Sequence, residues 1–158
     1  MTRVLVPSGV LGLGFDGPAL MRGAAMQPDI IAIDGGSTDS GPFYLGTGTS
    51  KYGRAASKSE WRQILQVRAQ AGVPLVIGSC GTCGTDSTVD WMYQITVELA
   101  IELGQKLKIA RLYSSQNIAN LQVALADGRI TALTPKLPLD ANILASCSNI
   151  VALAGAEQ

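Results

Sequence analysis

Three features of the sequence predict an α/β fold built on an open, mostly parallel sheet. Short β-branched runs alternate with helical patterns. Those runs are almost continuously apolar, as strands covered on both faces are. The glycine- and hydroxyl-rich connections all leave strands and do not enter them.

The strand candidates are "RVLVP" (3–7), "DIIAID" (29–34), "PLVIGS" (74–79), "LKIARLY" (107–113) and "NIVALAG" (149–155), with "RITAL" (129–133) as an added strand. Pro18 marks the first turn of a short helix over 17–26. In "SKSE" (57–60) the Ser57 hydroxyl and the Glu60 carboxylate have capping-box spacing. Trp61, Ile64, Leu65 and Ala71 follow at helical intervals, and Gly72 supplies the stop. A helix is expected from about Ser87 to Leu103, another over 117–128 ending in Asp-Gly, and a helical turn within "LPLDANILAS". The order predicts a Rossmann-like or flavodoxin-like sheet in three layers, with right-handed crossovers and helices on both faces. Residues 1–158 are expected to form a single α/β domain, on its own or as part of a larger protein or complex.

Composition narrows the function classes. Apolar residues make up 47% and charged residues 15% of the chain, too apolar for a disordered tail. Twelve basic residues balance twelve acidic ones without a basic stripe, which argues against nucleic acid and anionic membranes as partners. No apolar run approaches the ~20 residues of a membrane helix, and the interrupted amino-terminal run does not read as a signal peptide, so a cytoplasmic location is expected. The absence of histidine removes Ser-His and Cys-His dyads and the usual zinc partner.

In open α/β sheets, ligands bind at the carboxyl ends of the strands. The loops there are "SGVLGLGFDG", "DGGSTDSGPFYLGTGTSKYG" and "SCGTCGTDS", with "SSQN" after the fourth strand candidate, whereas "MQP", "AGVP" and "GQK" at the other edge are plain. The third loop leads into a helix amino terminus, where unpaired amides and the helix dipole favour an anion. A carboxylate, phosphate or coenzyme tail is therefore expected against Ser79, Gly81, Thr82, Gly84, Thr85 and Asp86. Ser8, Gly9, Gly36, Ser37, Thr38 and Tyr44 from the other two loops complete the candidate ligand-binding set. Asp34, at a strand terminus, and Asp39 are candidate proton movers.

Cys80 and Cys83 form a Cys-x-x-Cys, but only Cys147 remains as a further thiol. "GTDS" also separates the pair from the helix, so neither a zinc centre nor a redox pair is favoured. No metal is assigned, and Cys80 is kept as a candidate nucleophile. A rival reading uses Gly12, Gly14 and Gly17 of "GLGFDG" with Asp34 as a fingerprint for NAD(P) or FAD in an oxidoreductase domain. Ser8 to Leu11 intervene between the first strand and Gly12, which the fingerprint does not want.

"PDIIAIDGGSTDSGPFYLGTG" followed by "GVPLVIGSCGTCGTDSTVDW" resembles the amino-terminal part of the acyclic terpene utilisation (AtuA-like) family, most strongly over residues 28–91. The resemblance implies bacterial catabolism of terpenoid or related organic acids through coenzyme A thioesters, in an enzyme or enzyme subunit. Members are usually much longer, which implies that a further domain completes the site. They carry small residues where this chain has cysteines. The residues alone also allow a non-catalytic ligand-binding or assembly subunit. The helix at 87–103 is apolar on nearly every side, so a homo-oligomer or partner domain is expected to pack on it.

Overall fold

The computed structural model describes residues 1–36, 40–133 and 139–152. The elements are β1 (Val4–Leu5), α1 (Gly17–Ala25), β2 (Ile30–Asp34), α2 (Pro42–Thr47), α3 (Arg54–Ala71), β3 (Leu75–Gly78), α4 (Asp86–Glu102), α5 (Ile118–Ala126) and α6 (Ala141–Ser146). They fall into two compact units, Met1–Leu112 and Tyr113–Gln158.

The first unit is α/β. Its three strands lie side by side in chain order, all parallel, with Leu5 opposite Ile31 and Ile31 and Ile33 opposite Leu75 and Ile77. Sequential order combined with right-handed crossovers brings successive helices to the same face of a sheet. Burial agrees: Ile31 and Ile33 share one core with Leu20 of α1, Trp61, Ile64 and Leu65 of α3, and Met92, Ile95 and Leu99 of α4, with Leu5, Leu75 and Ile77 packed against it. The opposite pleat is different. Val4 is 54% and Val76 52% exposed, and Val6 beyond β1 is 59% exposed. Apolar strands thus did not guarantee two helical layers here, because the crossovers all step in one direction.

The helix expected to be capped by Ser57 begins four residues early, at Arg54 with Gly53 as its N-cap. Ser57 and Glu60 are therefore interior residues of α3, both buried, and make no capping box. Gly72 closes the helix in the left-handed conformation, as expected, and its N–H donates to the Arg68 carbonyl. The apolar surplus of α4 is largely consumed within the unit, since Val89, Trp91 and Leu103 pack on the core. The expected strand at 107–113 joins no sheet; Arg111 is tied to α4 instead, 2.6 Å from the Asp90 carboxylate and over the Tyr93 ring.

The second unit pairs α5 with α6. Asn117 and Asp140 cap the two helices by accepting from Asn120 N and Ile143 N. Of the expected strand 149–155, the described part makes one antiparallel bridge, Val151 to Ser115, and residues 153–155 lie outside the described residues. "RITAL" forms no strand, and Leu133 at its end is fully exposed.

Two kinds of contact join α3 to α4. Inside, Trp61 Nε1 donates to Thr96 Oγ1 at 2.9 Å, and that hydroxyl donates to the Met92 carbonyl. Outside, Arg54, Lys58 and Arg62 interleave with Glu98 and Glu102. Hydrogen bonds from Lys58 and then Arg54 hold Glu98 below the usual carboxylate range, and those from Lys58 and then Arg62 do the same for Glu102. Such depressed carboxylates contribute stability that is present above their unfolded pKa, near 4.5, and lost as pH falls through the folded values. Thermal melts should therefore show a stability loss on acidification below that point, which the Glu98→Gln/Glu102→Gln pair reduces. An unchanged acid limb in the double variant would remove these pairs from the account. Thr96→Val, which orphans the Trp61 N–H, should cost about 1–3 kcal/mol in denaturant unfolding.

Candidate functional site

The strand ends meet at Asp34. Its carbonyl accepts from Leu11 N at 2.8 Å, and Gly35 N donates to the Gly78 carbonyl at 2.6 Å. Its Oδ1 accepts from Gly36 N at 2.9 Å. These bonds link the connections leaving β1, β2 and β3. Gly36 presses so closely on Thr82 that a Cβ there would sit 2.4 Å from the Thr82 nitrogen, and its φ of +144° is one that side chains rarely adopt. A fourth segment joins through Lys51 N, which donates to Thr82 Oγ1 at 3.2 Å. The sequence-based expectation that these loops converge on one edge is what the structure shows.

The amides, however, are not all free for a guest. Thr82 N donates to the Ser79 carbonyl and Gly84 N to the Cys80 carbonyl. Thr85 Oγ1 caps α4 by accepting from Thr88 N, and the Ser87 hydroxyl lies 2.9 Å from it. Ser79, Gly81, Thr82 and Gly84 all have positive φ, so the chain winds tightly enough to bond to itself. Gly81, Thr82 and Thr85 are buried. The expected cradle of amides at 78–86 is thus largely a self-satisfied turn, and the Thr82 and Gly84 amides leave the candidate binding set. Ser79 and Gly9 remain exposed, and Ser8, Tyr44 and Asp86 are half-buried. Ser8 Oγ donates to the Val10 carbonyl, whereas Tyr44 stacks edge-on with Phe43 at 5.2 Å. Ser37, Thr38 and Asp39 lie outside the described residues.

Cys80 and Cys83 are buried. Cys80 is 9% exposed; burial, and secondarily the charge of Asp34, push it up to about 11 against a hydrogen bond that acts the other way. It is a thiol at neutral pH, which removes Cys80 as a ready nucleophile. Cys83 Sγ lies 3.7 Å from both the Thr85 and Thr88 hydroxyls. No cluster among the described residues has a metal's ligand set.

"GLGFDG" is also occupied from within. Gly12 N and Gly14 N donate to the two oxygens of the Glu60 carboxylate, at 2.7 and 2.8 Å, and Asp16 caps α1 by accepting from Ala19 N. The position where a dinucleotide fingerprint would present amides to pyrophosphate holds a protein carboxylate, which corrects the reading of Gly12, Gly14, Gly17 and Asp34 as a nucleotide site. Capping-box spacing hid this role of Glu60, because its partners lie more than forty residues earlier in the chain.

Lys51 was also missed. Its Nζ donates to Ser40 Oγ at 3.2 Å and lies 5.6 Å from the centre of the Tyr52 ring, so an exposed cation sits on the loop that braces Thr82. The available signal was its isolation, since no other Lys or Arg occurs between Arg22 and Arg54.

Comparison with known proteins returned no matching family model, no matching curated protein and no matching solved structure.

Removing the Glu60 carboxylate should unsettle the loop at 12–14. Glu60→Ala is expected to cost about 2–3 kcal/mol in chemical denaturation, with Glu60→Gln milder because it keeps one acceptor. Equal, negligible losses in both variants would show that the two amides do not need this acceptor.

Proposed function

We propose that the chain is an enzyme, or a subunit of one, that binds a small anionic metabolite at the carboxyl edge of its sheet. The observation that carries this reading is the meeting of the strand-end loops around Asp34, with the Lys51 ammonium on the adjoining segment. Lys51 supplies the positive charge for a carboxylate or phosphate, a role expected at first of the loop amides. The exposed Ser79 hydroxyl adds a donor. Asp34 is held through Oδ1 by Gly36 N, so its orientation is set before a ligand arrives, as proton transfer requires.

The likeness of residues 28–91 to the AtuA-like family supports a setting in bacterial breakdown of terpenoid or related organic acids, with a coenzyme A thioester as the substrate form. We assign the working protein a cytoplasmic location and a further layer over Val4, Val6 and Val76, supplied by another domain or a second copy. Three exposed valines on and beside one pleat support that layer, since soluble proteins rarely leave contiguous apolar surface bare. Ile101, near the end of α4 and on the other side of the sheet, is a separate exposed apolar residue. The valine surface favours a second reading, a non-catalytic assembly subunit.

Calorimetric titration with acetyl-coenzyme A, free coenzyme A and short-chain carboxylates tests the site. Lys51→Ala should weaken binding about 10- to 100-fold, the loss of one charge-assisted hydrogen bond. Asp34→Asn should keep binding and abolish turnover of the thioester. Binding indifferent to Lys51 would discard the anion site, and turnover indifferent to Asp34 would leave the assembly reading.

A further inference from the structure

A cavity of about 660 Å³ opens beside β3, within the first unit. One wall is the chain from Gly72 to Ile77, the other is Leu107–Leu112, and the floor is core side chains including Trp61, Leu65 and Met92. The carbonyls of Pro74 and Gly78 accept from Ile31 N and Gly35 N, so by alternation Leu75 and Ile77 turn their own N–H and C=O groups away from β2, toward this cavity. No strand pairs with that edge among the described residues. The facing segment is strand-like in sequence, yet it makes no ladder, and Ile109 is 39% and Leu112 51% exposed. Its root is also unsettled. Gln105 Oε1 is the one buried side-chain polar atom without a hydrogen-bond partner among the described residues.

What holds the segment where it is can be named. Arg111 makes an ion pair with Asp90 and lies 4.5 Å from the Tyr93 ring centre, both on α4. We propose that Leu107–Leu112 is a strap with two seats. In the first, described above, Arg111 latches it to α4 and the cavity stands open. In the second it pairs with the outward groups of Leu75 and Ile77 as a fourth parallel strand, filling the cavity with its own apolar side chains. The connection β3–α4–strap is the ordinary crossover that places such a strand beside β3. The latch opposes sheet completion, so whatever competes for Asp90 or Arg111 biases the strap toward closure.

Amide hydrogen exchange followed by NMR on the full chain tests this. In the unmodified protein, the Leu75 and Ile77 amides should exchange faster than the Val76 and Gly78 amides, which face β2. Arg111→Ala, and independently Asp90→Asn, should raise the protection of Leu75, Ile77 and alternate strap amides by about tenfold or more, together. Two results would overturn the proposal: Leu75 and Ile77 already as protected as Val76 in the unmodified chain, or no gain in either variant.

Discussion

The site rests on a close approach of backbones. Gly36 lies against the Thr82 main chain at a distance no side chain could share, and the Asp34 main chain and carboxylate fasten the neighbouring loops to that contact. Because the bonded groups are backbone atoms at the ends of β2 and β3, they inherit the precision of the ladder that pairs Ile33 with Ile77 and Asp34 with Gly78. The Asp34 carboxylate is thereby held in a fixed orientation by the fold itself.

The same economy of internal bonding explains why two glycine-rich loops are poor anion cradles. Unpaired amides attract the nearest acceptor, and in both loops that acceptor belongs to the protein. At 12–14 it is the Glu60 carboxylate, and at 79–84 it is the loop's own carbonyls. Glycine allowed the backbone to wind into these arrangements, but its presence does not say whether a guest or the chain completes them. The positive charge beside these loops is carried by a side chain, Lys51, whose amide braces Thr82.

The architecture leaves an imbalance. Three parallel strands bury one pleat under α1, α3 and α4 and leave valines exposed on the other, while the outward edge of β3 faces a cavity in place of a strand. Both features are costs unless something covers them: a partner over the pleat, and the strap over the edge.

Local chemistry was legible in the sequence by itself. The α/β alternation, β1 to β3, the helices at 17–25 and 118–126, the Gly72 stop and the glycine- and hydroxyl-rich edge all follow from propensity, caps and turn residues acting over a few positions. Asp34 at a strand end was visible for the same reason. The tertiary structure decided what depends on partners far along the chain: that Glu60 serves Gly12 and Gly14, that Cys80 is buried and protonated, that Lys51 braces Thr82, and that Leu107–Leu112 answers to α4 before β3. Periodicity says that a segment has an apolar face or free amides; only packing in three dimensions selects which of several competing groups will meet them.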